Sequence, residues 1–180
     1  RTITDVRGDE KVKVDIYIET SSIYQGITDR KCSYVLSVSI RNEERTKEGF
    51  GHLEGTWHQA VLVTLAEALE RMTVPCEICI HTRDVYVCSR IAKLEALAGA
   101  GWRDSKGELI KNAEEWQQVY AAVHNLPDAH KISGRSGKHS YSEWLKEEME
   151  KRDFGRIMGQ RLELAPGSGP APTGISGYHY

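Results

Sequence analysis

The pair with the most explicit chemical spacing is Cys76 and Cys79, a CxxC of the kind that holds zinc or cycles between thiol and disulfide. Either chemistry needs both sulfurs on the same side of the chain. The surrounding segment CEICIHT reads as a strand, and strand positions three apart point to opposite faces. Buried, reduced thiols are therefore the expectation, and Cys32 and Cys88 carry no pairing signal of their own.

Composition narrows the function classes. The chain has 180 residues, 39% hydrophobic and 28% charged, a size at which one domain can bury its own core. With 24 basic and 26 acidic residues the formal charge is −2, so net charge supplies no general attraction to nucleic-acid phosphates. The longest apolar stretches fall short of the roughly 20 residues that span a bilayer, and no basic-then-hydrophobic leader opens the sequence. A soluble, cytoplasmic or otherwise intracellular protein with no membrane partner is expected.

The elements that must position any chemistry follow from periodicity. Residues 1–11 form a polar lead. Val12, Val14, Ile16 and Ile18 then alternate with Lys13, Asp15, Tyr17 and Glu19, which predicts a strand. A turn around Gly26–Lys31 leads to a second strand, Tyr34–Ile40. A charged turn, Arg41–Lys47, precedes a third at Gly49–Leu53. Thr56 is placed to cap a helix with the stripe Trp57, Val61, Thr64, Leu65, Ala68 and Met72, and Pro75 marks the break after it. Ile78–Thr82 reads as a buried strand, and Val85–Ala98 as one helix ended by Gly99 and Gly101. A further helix carries Trp116, Val119, Tyr120 and Val123 and stops before Pro127. Ala129–Ser133 is predicted as a short strand and Gly134–Gly137 as a tight turn. Ser140 and Glu143 have capping-box spacing for a last helix with Trp144, Leu145 and Met149. Residues 153–180 form an extension whose Pro/Gly-rich part, Ala165–Gly177, reads as a flexible tail. The order β-β-β-α-β-α-α-β-α gives an α/β domain over residues 12–152, a mixed five-stranded sheet flanked by helices.

Several segments, in order and at matching spacing, resemble type 1 ribonuclease H. Val14–Ser22 (VDIYIETSS) is similar to the first strand of that family, which ends in an aspartate followed by Gly-Ser, and Glu19 takes the aspartate's place. Ala66–Leu69 (AEAL) resembles the end of the family's first helix. Cys76–Val87 (CEICIHTRDVYV), Gly101-Trp102, Lys111-Asn112 and Glu115-Trp116-Gln117 complete the set, so the resemblance covers roughly residues 12 to 150.

The resemblance implies a ribonuclease H-like fold and also locates the family's chemistry, four carboxylates holding two Mg²⁺ ions at the scissile phosphate. Hard cations need oxygen ligands. The four positions fall on Glu19, His58, Arg83 and Leu145, so one carboxylate of four is kept. Glu143 and Glu147 flank Leu145 but are turned about 200° from it at roughly 100° per residue. Arg83 stays protonated and puts positive charge where the family places a cation, which predicts a Glu19–Arg83 pair in a vestigial site. A rearranged set, Glu19, His58, Asp84 and Glu143, would suit Mn²⁺ or Zn²⁺. Asp84 has the simpler reading of a cap on the helix beginning at Val85. The turn that bears the family's mobile histidine resembles Gly134–Gly137 (GRSG), so Arg135 stands for the histidine and, with Lys131 and Lys138, forms a candidate basic rim for nucleic acid.

The expected function is thus a catalytically inactive ribonuclease H-like domain, an interaction or structural module in a larger assembly with weak RNA or DNA binding retained, and without a cofactor. The alternative is an active endonuclease cleaving RNA in RNA–DNA hybrids through a rearranged Mg²⁺ or Mn²⁺ site.

Overall fold

A computed structural model describes residues 12–72, 76–126 and 131–152. The lead, Pro75, Pro127, the start of the predicted strand at Ala129 and the tail lie outside the described residues. The chain runs β1 (Lys13–Thr20), β2 (Thr28–Ile40), β3 (Glu43–Gly55), α1 (Trp57–Glu70), β4 (Glu77–Thr82), α2 (Val85–Ile91), α3 (Leu94–Gly99), α4 (Ala113–His124), β5 (Ile132–Ser136) and α5 (Ser142–Lys151). The strands form one sheet in the order β3-β2-β1-β4-β5. Its first three strands are antiparallel, and β4 and β5 continue it in parallel to β1.

Period-two alternation in β1 divides the molecule. Val14, Ile16 and Ile18 join Ile78 and Ile80 against Val61, Leu65 and Ala68 of α1 and Trp116 and Val119 of α4, forming the main core. The opposite face carries Asp15, Tyr17 and Glu19. There a smaller cluster of Tyr17, Val35, Phe50, Tyr141, Leu145 and Met149 seats α5. Lys31 fixes the far end of α5 by donating to the carbonyls of Met149 and Arg152, each at 2.8 Å. A cation at a helix C-terminus also suits the helix dipole. Thr56 caps α1 as expected, in a capping box closed by Gln59.

Four expectations are corrected. The second and third strands run through the segments read as turns, joined only by Arg41 and Asn42, both at positive φ (51° and 65°). Such a two-residue turn matches the twist of a hairpin. The charges of Glu43–Lys47 mislead because an edge strand tolerates them well. The helix predicted over Val85–Ala98 is two helices, with Lys93 at φ −104° between them and no Gly or Pro marking the break. The last helix starts at Ser142, not from a Ser140 cap, and Tyr141, which holds the N-cap position, makes no side-chain capping bond.

The fourth correction concerns Gly134–Gly137, which is not a turn throughout: Gly134, Arg135 and Ser136 lie within β5. Gly134 is required for a different reason, since a Cβ there would sit 2.7 Å from Cα of Cys88 on α2. The backbones of β5 and α2 meet at that point. Gly134→Ala should therefore destabilise by about 1–3 kcal/mol through overpacking, read as a lower urea midpoint with an unchanged slope.

Candidate functional site

Glu19 lies near the end of β1, and Arg83 follows the last residue of the parallel neighbour β4. Parallel pairing brings the two strand ends together. Arg83 Nε donates to Glu19 Oε1 at 3.1 Å and to Oε2 at 3.4 Å. Two groups, one from the first residue of α5 and one from the segment before it, complete the shell: Ser142 Oγ donates to Oε2 at 2.8 Å, and His139 Nε2 lies 3.2 Å from the same oxygen. His139 Nδ1 accepts from the Tyr141 N–H, which leaves Nε2 as the donor, shared between Glu19 and the Ile18 carbonyl at 2.9 Å. The Glu19 side chain is 3% exposed and the Arg83 side chain 25%.

Burial alone would raise the Glu19 carboxyl, but hydrogen bonds from His139 and Ser142 and the charge of Arg83 outweigh it and hold the group below its ordinary value of 4.5. A lowered folded-state value means stabilisation that is complete above the unfolded-state value and lost as pH falls through the folded-state one. Unfolding free energy should accordingly drop as the medium is acidified below about 4.5. Glu19→Gln should flatten that acid limb in urea titrations, and an unchanged limb would place the effect elsewhere.

His58 and Asp84 form a separate pair. His58 Nδ1 is 2.6 Å from Asp84 Oδ2, while Asp84 Oδ1 accepts from the Val87 N–H and so caps α2. The imidazole packs against Tyr86, with centroids 4.4 Å apart. Tyr86 in turn receives the Trp116 indole N–H on its hydroxyl at 3.0 Å. Leu145 is fully buried in the smaller cluster, and Glu143 on α5 is exposed. Glu19, His58, Asp84 and Glu143 are not gathered as a ligand group: among the described residues, the one cluster whose ligand atoms all lie within 4.8 Å of one another is Asp15, Cys79 and His81. Lys131, Arg135 and Lys138 are exposed, with Arg135 lining a cavity on the open part of the sheet.

That second cluster is what the sequence alone misses. Asp15 pairs with Cys79, and Tyr17 with His81, in the β1–β4 register. His81 Nε2 is 2.7 Å from Asp15 Oδ1, and its ring stacks on Tyr17 at 4.4 Å and 16°. Burial works against a charged imidazole, yet hydrogen bonds with Asp15 and Cys79 raise His81 to about 9. Cys79 is half-buried, not buried as expected, while all four cysteines are free. Burial pushes the thiol of Cys32 up to about 12 and those of Cys76 and Cys88 to about 11, which makes these three poor nucleophiles.

An antiparallel three-strand meander continued by two parallel strands, with α1 and α4 on one face and α5 on the other, is the ribonuclease H-like arrangement. Solved structures agree in fold. LC9-RNase H1, described as a type 1 RNase H with the type 2 active-site motif, superposes with a TM-score of 0.60 at 16% identity, covering 82% of this chain and 73% of that one. The RNase H domain of PFV gives a TM-score of 0.55 at 15% identity over 74% of this chain and 84% of that one.

Sequence relatives point the same way. Ribonuclease H of Legionella pneumophila (strain Corby) is 33% identical over 97 residues, 52% of this chain and 66% of the relative. Ribonuclease H of Xanthomonas campestris pv. campestris (strain 8004) is 34% identical over 86 residues, 47% of this chain and 57% of the relative. The chain thus spans 66% or less of the length of these relatives. No family model matches it. The protein has a type 1 ribonuclease H-like fold.

Proposed function

We propose that this chain is a catalytically inactive ribonuclease H-like domain that serves as an interaction or structural module in a larger assembly. The observation that carries the reading is the Arg83 guanidinium donating to both oxygens of Glu19. A fixed positive charge occupies the strand end where divalent cations would need negative oxygens. The other implied positions support it. His58 and Asp84 are engaged with each other and with the start of α2, and Leu145 offers no ligand atom. The residues at this end do not fit a two-Mg²⁺ centre, and the reading includes no resident cofactor. Three exposed apolar side chains, Ile23, Tyr24 and Ile27, sit on the single loop between β1 and β2, which suits contact with a protein partner.

Weak RNA or DNA binding is a subsidiary part of the reading, carried by exposed Lys131, Arg135 and Lys138. A foamy viral protease-reverse transcriptase solved in complex with RNA/DNA hybrid shares the fold, with a TM-score of 0.51 at 13% identity over 84% of this chain and 21% of that one. Incubating the protein with a labelled RNA–DNA hybrid in Mg²⁺ or Mn²⁺ should give no cleavage, and Arg83→Asp alone should not create it. Cleavage abolished by Glu19→Gln would overturn the inactive reading. Binding of the uncleaved hybrid that weakens steeply with salt would support the subsidiary part, and no binding at low salt would remove it.

A further inference from the structure

We infer that Asp15, Cys79 and His81 form a binding site for one zinc-class divalent metal ion on the open face of the sheet. The site is separate from the Glu19–Arg83 pair and independent of whether the domain cleaves nucleic acid. Its position follows from register. Across the sheet, Ser37, Asp15, Cys79 and Ser133 form one row, and Val35, Tyr17, His81 and Arg135 form the next. Side chains of both rows project to the face that α5 covers only in part. Beyond the edge of α5 lies an open cavity of about 540 Å³, lined by Asp15, Cys79 and His81 together with Ser37, Ser133 and Arg135.

The donor set selects the ion. One sulfur, one imidazole nitrogen and one carboxylate oxygen suit Zn²⁺ or Co²⁺ rather than Mg²⁺, which prefers oxygen alone. Their ligand atoms lie within 4.8 Å of one another. Tetrahedral zinc with bonds of roughly 2.0–2.3 Å separates its ligands by roughly 3.3–3.8 Å, so side-chain rotation suffices without moving either strand. The imidazole is already oriented, its side chain 4% exposed and its ring stacked on buried Tyr17. His81 Nε2 and Asp15 Oδ1 lie 2.7 Å apart, in hydrogen-bond contact, and a cation replacing that bond would open them to roughly 3.3 Å. Three protein ligands leave a fourth position facing the cavity, as in zinc sites that admit water or a small exogenous ligand. Arg135 at the rim would favour an anionic one.

The test uses the full chain, with Co²⁺ as spectroscopic probe and Zn²⁺ in calorimetry. One equivalent of Co²⁺ should give tetrahedral d–d bands and a thiolate-to-cobalt charge-transfer band, both removed by one equivalent of Zn²⁺. Cys79→Ser, a near-isosteric change at a half-buried position, should abolish the charge-transfer band while leaving the far-UV circular dichroism unaltered. Asp15→Asn and His81→Gln should each weaken Zn²⁺ at least tenfold. Two outcomes would overturn the inference: no stoichiometric binding at micromolar metal, which reduces the cluster to an ion pair, or binding that survives Cys79→Ser/His81→Gln unchanged.

Discussion

Arg83→Met should lower the unfolding free energy by about 3 kcal/mol, because it leaves the Glu19 carboxylate buried without its cation. The figure sits at the low end of the range for broken buried pairs for two reasons. Ser142 and His139 remain to donate to Glu19, and the Arg83 side chain is 25% exposed, so less desolvation is locked into the pair than in a fully buried one. Methionine keeps much of the aliphatic stem, which confines the loss to charge and hydrogen bonding. Glu19→Gln alone should cost less, since the amide still accepts from Ser142 and the freed Arg83 can turn toward water. The double variant should be more stable than the sum of the single losses predicts, with a coupling energy of about 1–3 kcal/mol between residues in direct contact. Urea titrations of the four proteins at neutral pH close the cycle. Additive losses would show that Arg83 and Glu19 are neighbours without being an energetic unit, and the case for a charge-filled, inactive site would lose its footing.

The pair is legible in the sequence through the resemblance to ribonuclease H, which sets Glu19 and Arg83 at two of the family's metal-ligand positions; periodicity adds only that both lie at strand ends. Alternation in β1 places Glu19 on one face, while the change from CEICIHT to a helical pattern places Arg83 at the junction. The remaining neighbours of Glu19 are not legible. His139 arrives from the segment before α5 and Ser142 from the first residue of α5, where the expected Ser140 cap gives the wrong helix start and so the wrong residues facing β1. The Asp15–Cys79–His81 cluster is hidden for a different reason. Alternation assigns a face to each residue, but only the β1–β4 register sets Asp15 opposite Cys79, and register between parallel strands separated by a whole helix leaves no local signature. The CxxC spacing points to Cys76 as partner, when the useful neighbours of Cys79 are two residues along its own strand and one strand across. Gly134 shows the same limit. Its type is a turn signal, whereas the constraint comes from the α2 backbone approaching β5.

Arg30 carries no signal in the sequence because it falls in the predicted turn, yet its replacement should have the largest effect on stability. It is 1% exposed, and its guanidinium lies among main-chain carbonyls. Nη1 donates to the Ser22 carbonyl at 2.8 Å, and Nη2 to those of Tyr24 and Gly26 at 2.8 Å and of Gly55 at 3.0 Å. Three of these acceptors belong to the loop between β1 and β2, and the fourth ends β3 just before α1. One side chain therefore ties the loop that presents Ile23, Tyr24 and Ile27 to the start of the main core helix. Arg30→Met removes every one of these charge-assisted bonds. Each is worth about 1.5–3 kcal/mol when a charged group is involved, but the acceptors share one donor group and the loop can rehydrate, so the losses will not add. A net cost of about 4 kcal/mol is expected, roughly 10 °C in melting temperature for a domain of this size. Arg30→Lys should recover less than half, since a single ammonium cannot reproduce a planar fork spanning four acceptors. Hydrogen exchange separates this from general destabilisation: at matched stability, residues 21–27 should lose protection ahead of β1 and α1. Uniform loss of protection across the sheet would show that Arg30 supports the core rather than the loop. A rigid loop with exposed apolar side chains is what the interaction reading requires, so Arg30→Met should also weaken any protein partner contacting Ile23, Tyr24 or Ile27, while leaving metal binding at Asp15, Cys79 and His81 unchanged.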